Sequence, residues 1–199
     1  MPATTTPPRI VLLSGSLNKE SVTDRIALWC AERVTATGAE AEVYTGDRLD
    51  FPLYSPSRDI SPVAHEYLRS MENADGVVLL SPAYHGTVSG VLKNAADYVN
   101  ELLEKPRPLL DGRAMGCVSV SLGEQGAGTT LSTLRTMAHA LRAWPTPLGV
   151  ALPRSRAALD DDNTPLDPGA VTQLEAMLRQ THMMASLSAR RRAKAAAQA

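Results

Sequence analysis

Short, wholly apolar runs constrain this chain most. Arg9–Ser14 and Gly76–Leu80 carry almost unbroken Val, Leu and Ile, without the alternation of a half-exposed strand, and Ala114–Ser121 reads as a further strand. Runs of this kind are buried on both faces of a parallel sheet. Two weaker runs, Ala41–Tyr44 and Leu148–Leu152, complete a set of five. Between them lie segments of helical spacing. Ser21 to about Thr37 places Ile26, Ala27, Cys30 and Val34 on one side, with Gly38 as the stop. Ser61–Asn73 opens with Ser61 as N-cap and Pro62 at the first helical position. Gly90–Leu103, Ala127–Ala143 and Ala170–Leu187 repeat the pattern. Strands alternating with helices predict a doubly wound α/β sheet with right-handed crossovers and helices on both faces.

Composition narrows the class. The chain has 199 residues, 44% hydrophobic and 21% charged, which suits one domain with a substantial core. The expected organisation is a disordered tail over 1–8, a domain over 9–188 and a solvated Arg/Ala tail over 189–199. A formal charge of −1 supplies no field to draw the chain to nucleic acid or to an anionic membrane. The longest apolar runs, such as Ile10–Leu13 and Val77–Leu80, fall far short of a membrane span. Met1–Pro8 lacks a basic n-region and an apolar h-region, so a signal peptide is not expected. Cys30 and Cys117 stand far apart with no CxxC pair, which disfavours disulfide, zinc and dithiol chemistry and suits a reducing cytoplasm. They read as small core residues.

In a doubly wound sheet, ligands bind beyond the carboxyl ends of the strands. The loops there are Gly15–Val22, Ser81–Ser89 and Ser121–Gly128, rich in Gly, Ser and Thr. The first joins a buried strand to a helix start. Its free N–H groups, with Ser16, Ser21, Thr23 and Asn18 as side-chain donors, suit a phosphomonoester. The same residues suit ordinary capping by Ser21 equally well. The loop is neither GxxxxGK[ST] nor GxGxxG, and the later GEQGAG stretch lacks dinucleotide spacing.

The run Ser81-Pro82-Ala83-Tyr84-His85-Gly86-Thr87-Val88-Ser89-Gly90-Val91-Leu92-Lys93-Asn94-Ala95 resembles the NAD(P)H-dependent FMN reductase family, which carries P-E-Y-N/H-x-x-x-x-G-x-L-K-N-A there. The first loop resembles the family's G-S-x-R-x-x-S-x-N, and Phe51-Pro52-Leu53-Tyr54 its L-P-L-Y. The likeness spans about Arg9 to Leu152. It implies a flavodoxin-like three-layer sandwich with a five-stranded parallel sheet of order 2-1-3-4-5. FMN is the implied cofactor, with NADPH or NADH as co-substrate. The implied FMN contacts are Ser14, Ser16, Asn18, Ser21, Val22 and Thr23 in the first loop. In the second they are Pro82, Ala83, Tyr84, His85 and Gly86, and in the third Ser121, Gly123, Gln125 and Gly126. Donors beside the flavin's pyrimidine edge stabilise the anionic reduced ring. The Lys93-Asn94 pair reads as structural, Asn tying a loop to backbone and Lys reaching a carboxylate.

Three positions depart from that pattern. Ala83 replaces Glu, Asn18 replaces the loop Arg, and Thr23 replaces Asn. Lys19 and Arg25 are the candidates to replace the lost positive charge. The flavin carries the chemistry, so no protein acid or base is required, and His85 is the one candidate for a catalytic side chain. His65, His139 and His182 show no ligand spacing, and no metal site is expected.

The leading expectation is an NAD(P)H-dependent FMN oxidoreductase that reduces a flavin, a quinone or another small electrophile. The alternative is a dedicated FMN dehydrogenase that oxidises or aromatises one small substrate; a flavodoxin-like electron carrier is disfavoured by the near-zero charge. Phe51–Tyr54 and the apolar excess of Gly90–Leu103 (Tyr98, Val99, Leu102, Leu103) point to a homodimer or dimer of dimers.

Overall fold

Neighbouring residues along each central strand enter different cores. In the computed structural model, which describes residues 6–154 and 156–196, Val11 and Leu13 of β1 (Arg9–Ser14) join one cluster while Ile10 and Leu12 join the other. The same division runs along β3 (Gly76–Pro82), with Val77 and Leu79 against Val78 and Leu80. In β4 (Ala114–Ser121) it separates Met115 and Cys117 from Val118 and Val120. A sheet apolar on both faces must be covered on both.

One face is covered by α1 (Val22–Ala36) and α5 (Pro168–Ala196) through Ile26, Trp29, Cys30, Leu174 and Met177. The other is covered by α2 (Pro62–Asn73), α3 (Gly90–Tyr98) and α4 (Glu124–Ala140) through Tyr67, Met71, Leu92, Tyr98 and Leu134. The edge strand β2 (Glu40–Tyr44) pairs with β1, giving the parallel order β2-β1-β3-β4. At the far edge β4 pairs in parallel with two short pieces, β5 (Trp144–Pro145) and β6 (Val150–Pro153). This is the flavodoxin-like order expected, with its last strand split.

The elements differ from the sequence reading in four places. The helix expected over Gly90–Leu103 ends at Tyr98 and continues as a 3-10 turn, Val99–Leu102. The helix expected from Ala127 begins at Glu124, so Gln125 and Gly126 form its first turn rather than a loop. The apolar excess of Gly90–Leu103 is largely internal: Tyr98, Val99 and Leu102 are buried in the chain's own core. So is Phe51, 7% exposed, packed against Tyr67 and Tyr98 at ring separations of 5.2 Å.

The last difference is the largest. The expected boundary at 188 falls inside α5, which continues to Ala196 and docks against the amino-terminal edge of the sheet. Its Arg192 pairs with the buried Asp75. The tail expected over 1–8 is also shorter: Pro8 is buried and its carbonyl accepts from Glu40 N–H at 2.9 Å, while residues 1–5 and 197–199 lie outside the described residues. Beside Asp75 sits the buried Arg113. Its guanidinium donates to the carbonyls of Glu72 (2.7 Å), Ala74 (3.1 Å) and Leu109 (3.2 Å), satisfying the end of α2. Burial draws its pKa down to about 10.

Candidate flavin site

The first loop leaves β1 through Gly15, which only glycine can occupy. A Cβ there would lie 2.5 Å from Ser89 Oγ and 2.6 Å from Leu92 Cβ. Gly15 N–H donates to Leu80 O at 2.9 Å, which locks the loop to β3. The loop then bonds to itself. Ser16 Oγ accepts from Asn18 N–H (3.2 Å), Asn18 Oδ1 from Glu20 N–H (3.2 Å), and Asn18 O from Ser21 N–H (3.1 Å). Ser21 caps α1 by accepting from Asp24 N–H at 3.2 Å. Its carbonyl accepts from Arg25 N–H at 3.1 Å.

The N–H groups of Val22 and Thr23 have no acceptor among the described residues. Both stand at the positive end of the α1 dipole, the arrangement that binds an anion. Ser14 does not add a spare donor, because its hydroxyl donates to Asp24 Oδ1 at 2.5 Å. Burial pushes the Asp24 carboxyl upward, against the lowering effect of its bonds with Ser14 and Ser21.

The second loop is a tight turn. Ala83 N–H donates to Val120 O at 2.8 Å, and Tyr84 and Thr87 exchange backbone bonds of 3.0 and 3.1 Å. Between them His85 has φ 52° and Gly86 φ 81°, the two left-handed residues of a type I′ turn. Histidine tolerates this region better than most side chains, and glycine occupies it without penalty. The turn holds Tyr84 and His85 out at the carboxyl edge, both exposed. Pro82 and Ala83 are half-buried at the base.

The third loop closes on the second. Ser121 hydroxyl donates to Gly123 O at 2.5 Å, and Gly123 is the N-cap of α4 without a side-chain cap. A Cβ on Gly126 would come within 3.7 Å of Ala83 Cβ. The N–H groups of Glu124, Gln125 and Gly126 find no acceptor among the described residues, so a second helix start offers donors to the same edge. Glu124 was absent from the sequence expectation; the early start of α4 brings it in.

Asn94 and Lys93 take the structural parts expected of them. Asn94 Oδ1 accepts from Tyr54 N–H at 2.8 Å, and its Nδ2 donates to Pro52 O (3.0 Å) and Phe51 O (3.3 Å). Lys93 reaches Asp97 at 2.5 Å. The two candidates for the missing positive charge separate. Arg25 is committed to the segment after β6, donating from Nε to Asn163 Oδ1 at 2.6 Å and from its terminal nitrogen to Asp160 O. It therefore does not supply the loop's lost arginine. Lys19 stays exposed on the loop. Cys30 and Cys117 are buried, and burial pushes both thiols up to about 12, which leaves them inert at neutral pH.

Hydroxyls, two sets of unpartnered helix amides and a glycine-lined edge at the end of a parallel sheet define a flavodoxin-like flavoprotein, and the donors at α1 fit the phosphate of FMN. The NADPH-dependent FMN reductase family matches residues 8–156. An FMN-dependent NADPH-azoreductase of Staphylococcus haemolyticus is 30% identical over 168 residues, 81% of this chain and 82% of the relative. One of Staphylococcus aureus (strain USA300) is 31% identical over 159 residues, 76% of this chain and 77% of the relative. Among solved structures, FerB, a flavoenzyme NAD(P)H:(acceptor) oxidoreductase from Paracoccus denitrificans, superposes with a TM-score of 0.74 at 17% identity, covering 91% of this chain and 98% of FerB. The NADH:FMN oxidoreductase EMOB gives 0.67 at 20% identity over 88% and 89% of the two chains. The chain belongs to the NADPH-dependent FMN reductase family. It is an FMN-dependent oxidoreductase with NAD(P)H as its electron donor.

Proposed function

We propose that this chain holds FMN with its phosphate on the first loop and passes electrons from NADPH to a small planar acceptor such as a quinone, an azo compound or a free flavin. The observation that carries this reading is the pair of unpartnered amides, Val22 and Thr23, flanked by Ser16, Asn18 and Ser21. When bound, FMN supplies the two-electron hydride chemistry. The protein's part is to bind, orient and exclude water. Val22 and Thr23 amides hold the phosphate. Tyr84 offers an aromatic face at the second loop. The amides of Gln125 and Gly126, at the start of α4, stabilise negative charge on the ring. His85 serves through its backbone, which takes the left-handed conformation that the turn requires.

The acceptor assignment leans on the azoreductase relatives. Leu53, Tyr84 and Leu122, exposed by 76%, 52% and 83%, belong to loops at or beside the carboxyl edge. Exposed apolar groups gathered in this way support a homodimer whose second copy covers them. Two buried free thiols support a reducing compartment such as the cytoplasm. Anaerobic mixing of the reconstituted protein with NADPH tests the reading. Loss of flavin absorbance at ~450 nm, followed by recovery on adding a quinone or azo compound, is expected. FMN that stays oxidised in the presence of NADPH would overturn it.

A further inference from the structure

The segment after β6 is a small folded unit. Leu159 and Pro165 form an antiparallel bridge, and Leu166 N–H donates to Ala158 O at 2.9 Å. At the tip, Asp160 and Thr164 close on each other: Asp160 N–H donates to Thr164 O (3.0 Å) and Thr164 N–H to Asp160 Oδ1 (2.8 Å). Asn163 sits there with φ 64°, a left-handed conformation that asparagine accepts. Ala157 and Leu159 anchor the unit in the core beneath α1 and α5. At its base Arg156 pairs with Asp167 at 2.8 Å, and Asp167 caps the start of α5.

This hairpin is tied to α1 by one side chain. Arg25 donates to Asn163 Oδ1 at 2.6 Å and to Asp160 O. Arg25 lies in the same helical turn as Val22 and Thr23, whose amides the proposed function assigns to the phosphate. That turn has two tethers: Asp24 holds it to Ser14 of β1, and Arg25 holds it to the hairpin. The hairpin tip also carries three successive carboxylates, Asp160, Asp161 and Asp162, and Arg25 is the cation seen bonded to it. Without Arg25, α1 loses a tether where it must present its amides, and the acidic tip is left without its bonded cation near a site meant for a dianion.

We infer that Arg25 is a positioning residue for the flavin phosphate, acting through the hairpin tip at Asp160–Asn163 rather than by touching the cofactor. The inference rests on the phosphate being held at the first turn of α1. Its signature is a distinction between two ligands that differ only in the phosphate. Interactions made with the flavin ring are common to FMN and riboflavin, so a disturbance confined to the α1 turn weakens FMN alone.

The test is equilibrium titration of the full-length, flavin-free chain with FMN and with riboflavin, in the wild type, Arg25→Gln and Asn163→Gly. Asn163→Gly keeps the left-handed backbone and removes one of Arg25's two acceptors, leaving Asp160 O, so it weakens the tether while the tip keeps its turn. The expected result is FMN affinity lowered about tenfold in Arg25→Gln and lowered in the same direction in Asn163→Gly, the scale of a lost charge-assisted hydrogen bond. Riboflavin affinity should hold in both, and the double variant should be weaker than wild type by less than the product of the single effects. Wild-type FMN affinity in both variants overturns the inference and leaves the phosphate site standing. Equal weakening of FMN and riboflavin also overturns it, since that marks a general loss of structure. A wild type that binds riboflavin as tightly as FMN removes the phosphate site, and the inference with it.

Discussion

Arg192, in the last turns of α5, grips Asp75 across 117 positions of sequence, with Nε 3.2 Å from Oδ1 and a terminal nitrogen 2.8 Å from Oδ2. Asp75 is fully buried, and its Oδ2 also accepts from Arg9 N–H at 3.0 Å. Removing one partner of a buried pair leaves the other uncompensated. Arg192 is partly solvated, so the effect lies below the fully buried limit. Arg192→Ala should lower unfolding stability by about 1–3 kcal/mol in urea denaturation. A variant as stable as wild type would show that the end of α5 only rests on the sheet.

The Asn94 side chain is the main tie between α3 and the Phe51–Tyr54 segment. It makes three hydrogen bonds to that backbone, so Asn94→Ala strips partners from half-buried groups. We expect a stability loss of about 1–3 kcal/mol by the same denaturation experiment. Asn94→Asp keeps the acceptor for Tyr54 N–H but sets a carboxylate oxygen against the Phe51 and Pro52 carbonyls in a buried position, and should destabilise at least as much as Asn94→Ala.

His85 separates a backbone role from a chemical one. Asparagine suits the left-handed position, whereas a β-branched residue costs about 1–2 kcal/mol there. His85→Asn should therefore keep turnover close to wild type, and His85→Val should lower stability. If the imidazole acted as a general acid or base, His85→Asn would lose about 10²–10⁴-fold in kcat, and steady-state kinetics would reveal it.

The central strands were readable because burial on two faces writes itself into sequence as unbroken apolar runs, whereas their order came from the resemblance to the FMN reductase family. Turn chemistry was readable too: Tyr84-His85-Gly86-Thr87 contains the residues its two positive φ values need. Features that depend on distant partners were not. The Arg-rich end of the chain has the composition of a solvated tail, yet Ala189 is buried and Arg192 pairs with Asp75, 117 positions away. Phe51 sits in a polar stretch, yet Tyr67 and Tyr98 enclose it. Arg25 carries the right charge for a phosphate, and the bond that commits it elsewhere comes from Asn163, 138 positions on.

Leu53 is 76% exposed, whereas Phe51 of the same segment is already buried within the chain. If a second copy covers Leu53, Leu53→Asp should give a lower mass by light scattering and hold FMN less tightly. A wild-type protein that is monomeric at micromolar concentration with full FMN occupancy would count against the dimer.

Binding of FMN by Ser16→Ala/Ser21→Ala tests the central claim most directly. These hydroxyls flank the Val22 and Thr23 amides; their oxygens accept from Asn18 N–H and Asp24 N–H, which leaves each O–H to donate to the phosphate that the account places there. The predicted result is an FMN dissociation constant raised by the equivalent of about 1–3 kcal/mol, with the protein still folded. An unchanged dissociation constant would place the phosphate elsewhere and contradict the account.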